Sequence, residues 1–322
     1  MHQLLTKYNS DVYLYYGGIS RVGYHHLSNL LEAHASKKAK CALILVTSGG
    51  DPAAGYRIAR SLRHHYDSVD VIIPDLCKSA GTLVCIGADR LIFGDRGELG
   101  PLDMQISKPD ELFESMSGLD LIQALAALEG RVLSSFRNYL MDIRKGSGLR
   151  TKMAADIATK LTEDFIAPIA AKIDPVTLGE HQRAMQIGYD YGNRLNAMSN
   201  NLKGDALQRL VSDYASHGFV IDRKEAKELF NCVDRPDDVT AQIIKWARSV
   251  IEKRSMPESP IIIDLVKFFE DKESENKSNE SATCSFDTAE QGKPNTDAPP
   301  VTEGSGDKPA SGAPDPEITK DA

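Results

Sequence analysis

The sequence has no run of about 18 apolar residues, so no segment reads as a bilayer-spanning helix. Its longest tight apolar run, Ala42 to Val46, is strand-sized. The opening Met1-His2-Gln3-Leu4-Leu5-Thr6-Lys7 lacks the basic region and long apolar core of a secretory signal, and a cytoplasmic location is expected. Cysteine is sparse. Cys41, Cys77, Cys85, Cys232 and Cys284 contain no CxxC pair, and three of them fall in strand-like or buried-helix stretches. That pattern argues against a disulfide framework and a zinc site, and predicts reduced core thiols. No GxGxxG or Walker pattern is present, so nucleotide binding is poorly supported and no metal or organic cofactor is expected. Excess positive charge is missing too. With a net charge of −8, a nucleic-acid partner is disfavoured. Arg57, Arg60, Arg63, His64 and His65 make one helix locally basic and read as a solvated face.

What is present is a chain of 322 residues, long enough for one large domain or two small ones. Its first hundred residues alternate in period. Val12 to Tyr16 reads as a strand, Tyr24 to Ala35 as a helix, and Cys41 to Val46 as a strand buried on both faces. Pro52 to about His65 is a helix, Val69 to Pro74 a strand, Ser79 to Ala88 a short helix, and Arg90 to Phe93 a further strand. This order predicts a mainly parallel sheet with right-handed crossovers. The boundaries expected are an α/β core over residues 1–110 and a mostly helical region over 111–202, broken at Gly146-Ser147-Gly148 and Asp174-Pro175. A helical C-terminal part with a short strand follows over 203–270, its helices at Lys203 to Ala215, Arg223 to Phe230 and Val239 to Arg254. From about Asp271 the composition collapses to Ser, Asn, Asp, Glu, Lys, Gly and Pro, and residues 271–322 read as a disordered acidic tail.

Two breaks in the alternating region could carry chemistry. Thr47-Ser48-Gly49-Gly50-Asp51-Pro52 follows a buried strand, at the end where open α/β sheets bind ligands. Successive glycines before a helix leave backbone N–H groups suited to an anion or a developing oxyanion, although such a turn is also a common structural device. Asp75-Leu76-Cys77-Lys78-Ser79-Ala80-Gly81-Thr82 again follows a strand. Ser79 stands where strand turns to helix, between small neighbours, as a nucleophile would; an N-cap serine would occupy the same place.

Taken together, the two breaks resemble the Clp and signal-peptide-peptidase-A superfamily of serine peptidases. The resembling stretches are Thr47 to Pro52, Lys78 to Thr82, Ala88-Asp89 and Leu99-Gly100-Pro101-Leu102-Asp103. Ile173 to His181 and His217 to Ile221 extend the likeness to the serine dehydrogenase proteinase group, and it covers roughly residues 10 to 235. The resemblance implies a ClpP/crotonase-like α/β fold, a polypeptide substrate and a homo-oligomer. It implies Ser79 as nucleophile, with the N–H groups of Gly50 and Ala80 holding the oxyanion and the Gly49-Gly50 edge docking an extended peptide. The Clp pattern places a histidine about one strand after the serine. Here Leu99 to Gln105 contains none. That leaves His217 or Lys108 as the base, or another lysine such as Lys145 or Lys152 of the helical region, with Asp103 to orient a histidine; His217, Lys108 and Asp103 each also read as an ordinary loop residue. Lys78, next to the serine, is expected to point away from it. Two rivals stand beside the peptidase reading: a crotonase-like acyl-CoA enzyme, and a non-catalytic Clp-fold scaffold that binds peptides.

Overall fold

Strands buried on both faces must be apolar throughout, and β2 (Lys40–Val46) meets that demand with six buried residues after its exposed lysine. The computed structural model describes residues 2–34, 36–102, 105–107, 115–171, 174–252 and 255–274. Helix α1 (His2–Lys7), β1 (Asp11–Tyr16) and α2 (Arg21–Ala33) precede β2. After it come α3 (Pro52–His65), β3 (Ser68–Ile73), β4 (Leu76–Cys77), α4 (Ala80–Ile86), β5 (Arg90–Phe93) and β6 (Glu98–Leu99). Strands β1, β2, β3 and β5 lie side by side and parallel, so α2 and α3 are crossover helices.

β7 (Gln105–Ser107) and β8 (Ser115–Ser117) form a small antiparallel pair ahead of three long helices. These are α5 (Gly118–Ser147), α6 (Thr151–Ala170) and α7 (Pro175–Ser199); of the predicted breaks, Gly146 and Ser147 close α5 with Gly148 just beyond it, and Asp174-Pro175 opens α7. Gly148 sits at φ +66°, where a side chain would be strained. Asp174 caps α7 by accepting from the N–H groups of Val176 and Thr177, with Pro175 at the first helical position.

The predicted helix over Lys203 to Ala215 is broken up: α8 (Ala206–Gln208) passes into a π-helical turn, Arg209–Asp213. Leu210 there accepts a hydrogen bond from the N–H of Leu102, which ties this turn to the segment after β6. The strand expected near Val220-Ile221 is a single bridge, Ile221 to Leu99. Helices α9 (Arg223–Leu229) and α10 (Asp238–Ile251) match expectation to within a few residues.

Two further strands extend the sheet beyond the first 110 residues. β9 (Val233–Asp234) runs parallel to β5, and β10 (Ile261–Asp264) runs antiparallel to β1, giving the order β10-β1-β2-β3-β5-β9. Residues 265–274 continue as helix past the expected start of the tail, and 275–322 lie outside the described residues.

Alternate side chains of the strands fill two cores. Leu43, Leu45 and Val71 pack with Leu27, Ile58 and Leu83 of α2, α3 and α4. Ala42, Ile44 and Ile72 pack with Ile243 and Ala247 of α10 and Leu5 of α1. Helix α10 begins at Asp237, whose carboxylate accepts from the N–H of Thr240 at 2.7 Å. That bond holds the Asp237 carboxyl below its ordinary pKa. The cap therefore stabilises the fold above the ordinary aspartate pKa and is lost as pH falls through the lowered one. Asp237→Ala is expected to cost about 1 kcal/mol in urea denaturation near neutral pH, and less in acid.

Candidate active site

The local path of the chain brings the two strand-end breaks together. Beyond β2, Thr47 runs parallel to the segment after β3: its N–H donates to Leu76 and its carbonyl accepts from Lys78. This pairing sets Gly49 directly against Ser79. A Cβ added at Gly49 would stand 2.7 Å from the Ser79 Cβ and 3.3 Å from its Oγ. Gly49 and Gly50 have φ of +112° and +139°, values that suit glycine. At Gly50 a Cβ would also collide with the Ile19 carbonyl oxygen.

Strand pairing on the far side orients the glycine turn. Ile19 donates to the Gly49 carbonyl at 2.7 Å and accepts from Asp51 N–H at 2.9 Å. Alternation along an extended chain then directs the Gly50 N–H to the opposite side. Among the described residues it has no acceptor, and neither does the N–H of Ala80, the first residue of α4. Asp51 starts α3 by accepting from Ala53 N–H at 2.8 Å.

Ser79 occupies the N-cap position of α4 but does not act as a cap. Its hydroxyl makes no capping hydrogen bond, and its backbone lies at φ 49°, ψ −115°, outside the extended region an N-cap adopts. A non-glycine residue held there is strained, and such strain gathers where a side chain must be presented in one direction. Ser79 is 8% exposed.

The surroundings fix this elbow. Thr82 Oγ1 donates to the Gly100 carbonyl at 2.7 Å and accepts from the Gly100 N–H at 3.3 Å, which clamps α4 to the segment after β6. Sequence reading missed Thr82, because a threonine inside a short helix carries no signal of a distant partner. The Lys78 ammonium is held by Glu98 at 2.8 Å and by the carbonyls of Leu99 and Phe219, each at 3.2 Å.

That last bond, together with the Leu99–Ile221 bridge, places the chain just after His217 beside the elbow. His217 itself lies half-buried in a turn. Asp103 and Lys108 lie outside the described residues. Cys77 and Cys85 are fully buried near the elbow with sulfurs 3.8 Å apart. Burial, and then the contact with Cys77, push the Cys85 thiol well above its ordinary pKa, which leaves it a poor nucleophile. The sulfurs of Cys41, Cys77, Cys85 and Cys232 are all free. Among the described residues no His, Cys, Asp or Glu cluster could hold a metal ion, and no helix is long and apolar enough to cross a membrane.

The geometry defines a mainly parallel α/β protein with a strained serine at a strand-to-helix elbow and a glycine turn pressed against it. Residues 30–164 match the family described as ClpP-like SDH-type serine proteinase, and this match shows the likeness expected from the motifs. Two uncharacterized proteins of Methanocaldococcus jannaschii are similar over shorter stretches. One is 36% identical over 74 residues, covering 23% of this chain and 26% of its own. The other is 38% identical over 66 residues, covering 20% and 23%. The chain thus spans about a quarter of the length of these curated relatives. Among solved structures, the 1510-N membrane-bound stomatin-specific protease is similar at 16% identity and a TM-score of 0.29, over 47% of this chain and 71% of its own. ClpP1 from Listeria monocytogenes is similar at 15% identity and a TM-score of 0.27, over 46% and 78%.

Proposed function

We propose that the protein is a serine peptidase that cleaves peptide bonds through an acyl-enzyme on Ser79. One observation carries the reading: Ser79 stands at a helix start in a strained conformation without using its hydroxyl as a cap. The family match over residues 30–164 supports the same class. In this mechanism an extended polypeptide lies along the Gly49-Gly50 edge. The Ser79 Oγ attacks the scissile carbonyl carbon, and its proton passes to a general base. The N–H groups of Gly50 and Ala80 donate to the resulting oxyanion, a contribution of about 3 kcal/mol per donor in comparable sites. The base returns the proton to the departing amine, and water then resolves the ester.

His217 is the base this reading favours, because the hydrogen bond from Lys78 to Phe219 holds the neighbouring chain at the elbow. Lys108 is the alternative, and Asp103 would orient a histidine base. Lys78 is committed to Glu98 and two carbonyls and is not assigned the role.

The test is labelling with a fluorophosphonate serine probe, followed by peptide mapping. Labelling at Ser79 that vanishes in Ser79→Ala is expected. A folded wild-type protein that takes up no label would sink the peptidase reading in favour of peptide binding without turnover or of thioester chemistry. Substitution separates the bases: labelling lost in His217→Ala identifies histidine, and labelling lost in Lys108→Ala identifies lysine.

A further inference from the structure

The basic face of α3 is divided between the fold and a cleft. Arg63 belongs to the fold, bonded to Asp89 at 2.6 Å and to the Met198 carbonyl at 2.9 Å. Arg57 and Arg60, about one turn apart, have no carboxylate partner among the described residues. With Ser61 they form one wall of a cleft of about 270 Å³ between α3 and α2. The opposite wall is Tyr24, Ser28 and Glu32, which recur every four residues and so stand in one row along α2. The Arg57 guanidinium lies over the Tyr24 ring at 4.5 Å, which orients it. At the other end of the row, Ser28 donates to one oxygen of the Glu32 carboxylate at 3.2 Å and leaves the second oxygen free for a ligand. Burial, and then the positive charges of Lys37 and His64, hold the His65 imidazole below its ordinary pKa, against a smaller opposite pull from Glu32. Glu32 thus acts at the level of His65, five residues along α3 from Arg60. The cleft is bipolar, with unpaired guanidiniums and a carboxylate about 7–8 Å apart along the helices.

We propose that this cleft binds a small phosphomonoester that also carries an ammonium group, with the phosphate on Arg57 and Arg60 and the ammonium on Glu32. A guanidinium fork matches two phosphate oxygens at once, and two such forks one turn apart balance a dianion. A carboxylate offers them half that charge. The Ser61 hydroxyl stands on the same wall and can donate to a phosphate oxygen. The volume suits a ligand smaller than the drug-sized molecules that fill roughly 300–1,000 Å³. A nucleic-acid backbone fits poorly, because its phosphodiesters bring no cation and Glu32 would repel them. The inference is independent of the peptidase reading, since no residue in it belongs to the Ser79 site.

The test is isothermal titration calorimetry of the full chain at fixed ionic strength with three probes: phosphoethanolamine, inorganic phosphate, and β-alanine, which pairs an ammonium with a carboxylate. Phosphoethanolamine is expected to saturate one site on the wild type with a Kd of about 1 mM or below, and each of the other two to bind about tenfold more weakly. Arg60→Gln is expected to weaken both phosphate probes by about tenfold. Glu32→Gln is expected to bind inorganic phosphate at least as well as wild type, yet to lose the preference of about tenfold for phosphoethanolamine. A merely positive surface would not separate the two probes in this way. Arg60 and Glu32 are exposed, so unchanged far-UV circular dichroism confirms that each variant is folded. A wild type still unsaturated at about 10 mM phosphoethanolamine would overturn the proposal. So would β-alanine binding as tightly as phosphoethanolamine, or either variant binding both phosphate probes as wild type does. Vesicles of phosphatidylcholine with phosphatidic acid offer the same phosphomonoester on a lipid. Binding to them without binding to free phosphoethanolamine would overturn the small-molecule assignment in favour of a lipid headgroup. Fluorophosphonate labelling of Ser79 in the same samples reads the peptidase assignment separately.

Discussion

Gly49→Ala is expected to slow fluorophosphonate labelling of Ser79 by at least about a hundredfold while leaving the protein folded. The added methyl meets the Ser79 Cβ at 2.7 Å and the Lys78 carbonyl oxygen at 3.3 Å, and neither is the free end of a flexible side chain. Retreat is blocked on both sides. Thr47 is laced to Leu76 and Lys78 by backbone hydrogen bonds, and Thr82 pins α4 to Gly100. The strain therefore falls on the direction of the serine hydroxyl, and an error of about 1 Å there is enough to remove two orders of magnitude in rate. The φ of +112° adds a stability cost of about 1–3 kcal/mol for a residue with a side chain. Time-resolved intact mass measures the labelling, and thermal unfolding of the same sample measures stability. Wild-type labelling in this variant would mean that Gly49 does not set the serine's position.

Asp11→Ala is expected to be the most destabilising single change outside the site, at about 3–5 kcal/mol in urea denaturation. The Asp11 carboxylate, 2% exposed, accepts from Lys38 N–H at 3.0 Å and Tyr66 hydroxyl at 2.9 Å, and faces His34 Nε2 at 3.5 Å. The other His34 nitrogen meets Asp264 of β10 at 2.7 Å, and Tyr66 shares a hydrogen bond with Tyr13. Burial, and then the bond to Tyr13, raise the Tyr66 hydroxyl far above its ordinary pKa, so it remains a donor throughout the working range. Truncating Asp11 leaves the Tyr66 hydroxyl with Tyr13 alone and takes the acceptor from the half-buried Lys38 N–H and from His34. Asp11→Asn keeps one acceptor oxygen and is expected to lose about half as much. A loss below about 1 kcal/mol for the alanine variant would mean that water or a neighbour takes over the carboxylate's partners.

The contrast between these two sites explains what the sequence could disclose. Strands β1, β2 and β3 were legible because a strand covered on both faces is an unbroken apolar run. The three long helices were legible because Gly148 and Asp174-Pro175 punctuate them. Strand β10 escaped because Ile261-Ile262-Ile263 is short, follows a proline and passes straight into a helix. At the elbow, residue types pointed to Gly49, Gly50 and Ser79, yet a capping serine and a presented one share the same letters. Only the backbone angles and the missing cap bond separate them. The Asp11–His34–Asp264 cluster was invisible for a different reason: Asp264 stands 230 positions after His34, and nothing local marks them as partners.

Pairing of β1 with β10 joins Tyr13 to Asp264, nearly opposite ends of the folded unit. A ribosome adding about 5–20 residues per second releases the first of these strands on the order of ten seconds or more before the second is made. Throughout that interval one side of Tyr13, Leu14, Tyr15 and Tyr16 has bare amide and carbonyl groups, in a row that any extended chain can join. Birth of this protein thus carries a window of vulnerability that the finished molecule no longer shows, and a nascent-chain chaperone that shields an apolar strand would find its moment there.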